Sequence, residues 1–335
     1  MPDDSLVVQL TNNFRAALEA RLREQVQEMA RRWLTVEQAL SAEIDALLAD
    51  INKRREASEE ITQARLYRLE RMRRLLAQVQ EQIALYNRYA EGVIDEGQWA
   101  LAAQGLSEAS EVLQLSLWEL QAVGLTFERL GVEAIENIVA LARAGGPLQT
   151  LLQAAYPAAA QGIIDELLYG LARGRNPRET ARAIIGKGLA QGLDHILLVA
   201  RDQQIRAYRQ AAWQQYQHSG VVRAWRRLAA RNLRTCPACL ALDGTVHDTS
   251  DLMELHPQDR CVMEPIIVGF EPLPRMTGEE WFNSLPEAEQ IEVMGREYHQ
   301  AWKAGQFKFR NLATVGEHTT WGPTVRVTPL GKLVR

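Results

Sequence analysis

Cysteine is scarce in this 335-residue chain: there are three, Cys236, Cys239 and Cys261. An odd number cannot all pair within one chain, so the sequence does not read as a disulfide framework. The opening residues, MPDDSLVVQL, carry acids where a secretory signal carries bases. Together these two features point to a reducing compartment, where a Cys-x-x-Cys more often binds metal or does redox work than staples a fold. No apolar run approaches the roughly 18 residues that a membrane span needs, so no membrane contact is expected. Charge of one sign is also lacking: the net charge is −4 with 24% charged residues. Bulk attraction to nucleic acid is therefore excluded, and any such affinity must come from local segregation. Gly-x-Ser-x-Gly and His-Glu-x-x-His are absent, which removes the common hydrolase signatures. The segment IIGKG, residues 184–188, suggests a phosphate loop, yet Gly188 stands where a Ser or Thr would hold magnesium. Close helix packing at Gly186, Gly188 and Gly192 is the better reading.

Between Pro2 and Gly92 there is neither proline nor glycine, and Leu, Ala, Glu, Gln and Arg dominate. Apolar residues Leu18, Leu22, Val26, Met29 and Trp33 recur at helical steps. Leu69, Met72, Leu76, Val79, Ile83 and Tyr86 form a 3-4-3-4-3 seam, shorter than a coiled coil alone requires. The spacing predicts long helices, broken near Asn52, whose stripe is completed by a returning helix or by another chain. A second helical block is expected over 98–144, ending at Gly145, Gly146 and Pro147. Asn176, Pro177 and Glu179 mark a further helix start, with Leu189, Leu193, Ile196 and Ala200 on one face.

After Gly220 the texture changes. VVRAWRRLA, GTVHD and IIVGFE are short and β-branched or alternating, and they predict strands. Thr277 and Glu280 form a capping box for a last helix, and the final 25 residues look irregular. The fold class expected is predominantly α: long N-terminal helices, then a smaller α+β module with a short antiparallel sheet and a zinc knuckle. The corresponding domains are 1–145, an extended helical domain; 146–275, the module; and 276–335, a helix and tail.

All three cysteines and two of the six histidines fall within residues 236–261. Zinc is held tetrahedrally by thiolates and imidazoles, and Cys236-x2-Cys239 followed by His256-x4-Cys261 supplies four such ligands. Pro237 favours a tight turn between the first pair, and Asp243-Gly244 reads as a hairpin turn that folds the two pairs together. Unmetallated thiols and a Cys236–Cys239 disulfide remain open readings. A thioredoxin-like pair should open a helix after a strand, whereas this segment reads as a turn. His247 is a competing ligand, better read as an ordinary strand residue.

Residues 201–234 hold eight arginines against one acid, Asp202, with Trp213, Tyr216 and Trp225 among them. Arg206, Arg209, Arg223, Arg226, Arg227, Arg231 and Arg234 are the candidates for DNA or partner contact, since segregated arginine suits phosphate backbones. A face paired with acids elsewhere in the fold is the competing reading.

The stretch ARDQQIRAYRQAAWQQYQHSGVVRAWRRLAARNLRTCPACLALDGTVH, followed by HPQDRC and a proline, resembles the Mu F-like head morphogenesis (minor head protein) family of tailed phages. The resemblance spans about Leu167 to Pro265, including Gly174, Asn176 and Pro177. The family's closing motif usually reads His-Pro-x-Cys-Arg-Cys, and here Asp259 occupies the first of those cysteine positions. The resemblance implies a virion protein without enzymatic activity, placed in the capsid interior near the portal and in the host cytoplasm during assembly. Its implied partners are the portal protein, major capsid or scaffold proteins and packaged DNA; self-association through the N-terminal helices follows from the stripe. Two other classes stand beside it: a zinc-stapled nucleic-acid-binding protein with a helical oligomerisation arm, and a thiol oxidoreductase at Cys236 and Cys239.

Overall fold

The computed structural model describes residues 5–142, 148–318 and 321–334. Three helices open the chain: α1 (Leu6–Glu56), α2 (Gln63–Arg68) and α3 (Glu70–Glu119). Then come α4 (Ile135–Ala142), α5 (Leu148–Gln153), α6 (Ala155–Ala172), α7 (Pro177–Ala183), a π-helical segment (Ile184–Leu189) and α8 (Ala190–His218). The module that follows contains β1 (Val222–Leu228), α9 (Pro237–Leu242), β2 (Val246–Asp248) and β3 (Val262–Ile267). The chain closes with α10 (Gly278–Ser284), α11 (Glu287–Met294), α12 (Arg296–Lys303), β4 (Ala313–His318), β5 (Gly322–Val327) and α13 (Leu330–Leu333). The protein is mostly helical, with long N-terminal helices and a small antiparallel sheet, as its composition predicts.

Two compact units form, each assembled from separated stretches of chain. The first comprises Leu22–Asp95 and Gly146–Arg201. In it α1 and α3 lie antiparallel: the Tyr86 hydroxyl donates to the Met29 carbonyl at 2.6 Å, and Trp33 meets the Tyr86 ring edge-on at 4.8 Å. Met29, Trp33, Leu40, Ile44 and Leu47 are all fully buried. The returning helix thus completes the apolar stripe from within the chain. Leu75, not Leu76, enters the core beside Met72 and Val79, so the stripe keeps the 3.6-residue period of a straight helix instead of the heptad. The break after α1 follows Glu56, a turn beyond Asn52.

The IIGKG segment is a helix crossing. A Cβ on Gly188 would stand 2.7 Å from the Gly162 carbonyl oxygen and 2.9 Å from the Ile163 nitrogen, so α6 and the π segment touch backbone to backbone. Asn176 accepts from the Glu179 amide at 2.9 Å, with Pro177 at the first helical position, which is the predicted start. Leu189, Ile196 and Ala200 are buried while Leu193 is only half-buried. The helix Pro177–His218 also contains an 18-residue window apolar enough to cross a membrane by length and composition, contrary to the sequence expectation. Of that window, 39% is buried inside the fold.

The second unit comprises Met1–Arg21, Glu96–Gly145 and Asp202–Arg335. The expected boundary at Gly145, Gly146 and Pro147 lies outside the described residues. No helix begins near residue 98, because α3 runs unbroken through Gly92, Gly97 and Gly105. Glycine weakens an isolated helix, but here it permits close approach: a Cβ on Gly105 would meet the Tyr208 carbonyl oxygen at 2.5 Å. Ala102, Leu106, Ile138, Val139, Ala207 and Ala211 form the core between α3, α4 and α8.

In this unit the sheet runs β2-β1-β3, all antiparallel, with Arg227 opposite Met263 and Trp225 opposite His247. VVRAWRRLA and GTVHD are strands as predicted; the third strand lies earlier than IIVGFE, starting at Val262 and ending at Ile267. The tail read as irregular contains the β4–β5 hairpin and α13. Its alternation is interrupted by Gly316 and Pro323, which hid the strands from a pattern reading.

The close crossing yields a matched test. Gly188→Val should destabilise the protein by about 1–3 kcal/mol through overpacking. Gly186→Ala, where nothing lies within 4 Å, should leave stability unchanged or raise it by up to about 1 kcal/mol. Thermal and urea unfolding of the two variants would separate them.

Candidate metal centre

The candidate site is built from three segments of the second unit. β1 is the middle strand, paired along both edges, and Trp225, Arg226, Arg227 and Leu228 are all buried, so both of its faces are covered. The chain then turns at Arg231, whose φ of 46° is left-handed. Cys236 caps the next helix, α9, with Pro237 at its first position. Cys239 follows one turn in. The Cys-Pro-Ala-Cys segment therefore opens a helix, instead of forming the free-standing turn that the sequence suggested.

Asp243-Gly244 is likewise not a hairpin turn between two strands. It ends α9, Gly244 taking a φ of +87°, and its amide donates to the Arg227 carbonyl at 2.8 Å. Asp243 is buried and accepts from the Ala229 amide at 2.7 Å and from Arg231 Nε at 2.6 Å. α9 is thereby tied back to β1.

The third segment is a turn at His256–Asp259, closed by the Asp259 amide donating to the His256 carbonyl at 2.9 Å, with Gln258 at a φ of 68°. This turn brings His256 and Asp259 to the same side. Cys261 leads into β3 one residue before Val262.

Cys236 Sγ, Cys239 Sγ and His256 Nε2 lie within 4.8 Å of one another, and Cys239, Asp259 and Cys261 form a second group that shares Cys239. Of the four ligands expected from spacing, three converge. Cys261 joins the cluster through Cys239, without all four donor atoms lying within 4.8 Å of each other. His256 Nδ1 stands 2.8 Å from the Pro257 carbonyl, which can only accept, so Nδ1 carries a proton and Nε2 faces Cys239 Sγ at 3.1 Å. That orientation is the one in which an imidazole ligates metal. Soft sulfur donors and one imidazole form a donor set that suits zinc.

The electrostatics are those of a strongly coupled cluster. A hydrogen bond from Cys239 and the neighbouring His256 hold the Cys236 thiol down to about 4. The same bond to Cys236, a second to Cys261 and burial push the Cys239 thiol upward. Burial opposes the charge on His256, but its bond to Cys236 and the Asp259 carboxylate prevail and raise it to about 9. Asp259 has no exposed side-chain surface; burial disfavours its charge, yet Arg227 and His256 keep it below the ordinary carboxylate range. Cys236 is the half-exposed thiol, whereas Cys239 and Cys261 are buried.

Arg227 and Asp259 were not read from the sequence as one unit. Arg227 is wholly buried, donates to Asp259 at 3.1 Å and to the Glu254 carbonyl at 3.1 Å, and lies 4.0 Å from Cys239 Sγ. In the sequence it is the second of two adjacent arginines in a predicted strand, a pattern that suggests contact with DNA or a partner and gives no sign of burial. His247 stays outside the cluster, stacked on Trp225 at 4.3 Å and bonded to Thr245, which is the strand role expected of it.

The arginines do not form one exposed face. Arg209, Arg226 and Arg227 are buried. Arg226 bonds Glu264 at 3.2 Å, Arg206 bonds Asp202 at 2.8 Å and Arg231 bonds Asp243 at 2.6 Å. Arg223 and Arg234 are the exposed members, Arg234 lying 3.8 Å from Glu19. Asp202, the single acid of the stretch, is itself buried.

This division sets an expectation for charge reversal. Arg226→Glu or Arg227→Glu should unfold the module, since removing one partner of a buried pair costs about 3–5 kcal/mol. Arg223→Glu and Arg234→Glu should change stability by less than about 1 kcal/mol. Limited proteolysis and urea denaturation of the four variants would check both halves.

The family model described as Phage Mu protein F like protein matches residues 161–263. A search of curated proteins finds no match, and a search of solved structures finds none either. The matched segment covers less than a third of the chain and runs from within α6 to Met263 in β3, carrying Arg227 and every member of the Cys/His/Asp cluster. Residues 161–263 of this chain are thus similar to the phage Mu protein F-like family.

Proposed function

We propose that the protein is a structural minor head protein of a tailed phage that acts in head morphogenesis. It binds the portal and lies at the capsid interior, where it serves head assembly and genome packaging or delivery. The observation that carries this reading is the family match over residues 161–263. Its physical counterpart is a small module whose polar residues are spent on holding the fold: thiols, His256, Asp259 and buried guanidinium–carboxylate pairs. The protein performs no catalysis in this reading. Zinc, held by Cys236, Cys239, His256 and Cys261, staples α9 and the 256–261 turn to β1, and binding free energy of that kind is folding free energy. Contact with packaged DNA falls to Arg223 and Arg234, the exposed arginines of the group.

A thiol–disulfide exchange reading gains one observation: Cys236 opens a helix and is half-exposed, with Cys239 buried behind it. Against it, the sheet is antiparallel throughout, and both thiols are grouped with His256, Cys239 also with Asp259 and Cys261.

Tagged protein should co-purify with portal protein from infected cells and be present in mature particles. Absence from particles together with failure to co-purify would overturn the head-protein reading. The purified chain should contain about one equivalent of zinc, and Cys239→Ser should expose the module to protease while the N-terminal helices persist. Dithiol reactivity that needs no chelator and rapid reduction of small disulfides would favour the exchange reading instead. On duplex DNA, two engaged arginines should produce a log–log salt slope of about −1.8, lost in Arg223→Glu/Arg234→Glu.

A further inference from the structure

The cluster offers five donors where a tetrahedral ion takes four, and the extra one is Asp259. Its Oδ2 lies 3.7 Å from both Cys239 Sγ and His256 Nε2, close enough to be read as a ligand. Both of its oxygens, however, are already committed: Oδ1 accepts the Cys261 amide at 2.6 Å and Oδ2 accepts Arg227 at 3.1 Å. Neither side chain of the Arg227–Asp259 pair has any exposed surface. The guanidinium is fixed from the other side by the Glu254 carbonyl, two residues before His256. One pair of charges therefore grips the strand bearing Arg227, the chain just ahead of His256, and the backbone of Cys261.

We propose that Arg227 and Asp259 are the positioning pair of the metal centre: Asp259 is not a ligand, but holds Cys261 for a Cys3His site while Arg227 offsets the negative charge of the thiolates. This deepens the zinc reading above and rests on it. Charge supports the assignment. Three thiolates around a divalent cation leave one net negative charge, and a second from Asp259 would stay buried and unanswered without a cation. The guanidinium supplies that cation 4.0 Å from Cys239 Sγ, and buried charge is tolerated only when paired and hydrogen-bonded. Outer partners of this kind typically alter metal affinity ten- to a hundredfold when removed.

The test uses the full chain with cobalt(II) and zinc(II) as probes. In wild type, cobalt(II) should give the visible bands of a tetrahedral, thiolate-rich site. Asp259→Asn keeps the shape and the acceptor for the Cys261 amide but removes the charge. It should keep the same cobalt spectrum while binding zinc about ten- to a hundredfold more weakly. Arg227→Met should weaken zinc similarly, and Arg227→Lys should restore part of the loss. Since Arg227→Met leaves a buried carboxylate unpaired and risks unfolding the module, Arg227→Met/Asp259→Asn is the decisive variant: its loss should be clearly smaller than the product of the two single losses. A cobalt spectrum that changes coordination in Asp259→Asn would make Asp259 a ligand and overturn the proposal. So would wild-type zinc affinity in Asp259→Asn and the double variant, or strictly multiplicative losses. Wild-type protein that binds neither ion would overturn the zinc reading itself, a result distinct from metal binding that ignores the pair.

Discussion

A guanidinium with no exposed surface, in the middle strand of a three-stranded sheet, is the constraint around which the small module is organised. Burying an ion costs several kcal/mol unless opposite charge and hydrogen bonds meet it on all sides. Arg227 is met by a carboxylate from the 256–261 turn, a carbonyl from the chain before that turn and sulfurs beside it. Those partners lie 12 to 32 residues from Arg227 in sequence, so pairing the two terminal nitrogens of one guanidinium fixes the path of three segments. The same economy recurs nearby. Glu264 on β3 lies between Arg226 and Arg275, and Asp243 at the end of α9 holds both Arg231 and the Ala229 amide.

Long helices in the same unit hold the sheet through polar contacts. Tyr216 on α8 donates to the Met263 carbonyl, Gln217 to the Thr249 carbonyl and Arg15 on α1 to the Ala229 carbonyl. These bonds reach backbone atoms of the sheet and its connections, whose own pairing would otherwise end at a short strand such as β2. Close approach of α3 and α8 depends on Gly105, where a side chain would collide with the Tyr208 backbone. A residue that weakens an isolated helix thus sets how near two helices can come.

Several of these features were legible without coordinates. A stretch of nearly ninety residues with no proline or glycine leaves the backbone little alternative to helix. The caps at Asn176 and Thr277 were readable because a side-chain oxygen three residues ahead of an unpaired amide is a local arrangement. The gathering of cysteine and histidine within 26 residues marked where the cluster would lie. The β4–β5 hairpin leaves no clear pattern in the sequence because Gly316 and Pro323 break its alternation. In the Cys236 segment proline favours both a turn and the first position of a helix, and the local pattern does not choose between them.

By itself, then, the sequence determined the helical character of the chain, the positions of several helix starts, the small sheet and the identity of most members of the Cys/His cluster. Each depends on interactions within a few residues, or on residue type alone. Only the tertiary structure decided that separated stretches join in each compact unit, that Asp259 stands among the thiols, and that an arginine-rich stretch is divided between buried ion pairs and two exposed side chains. Burial and charge pairing are properties of what surrounds a side chain. Asp259, Glu264 and Asp243 approach their arginines across 12 to 38 residues of chain, and nothing in the local pattern around any of them encodes that meeting.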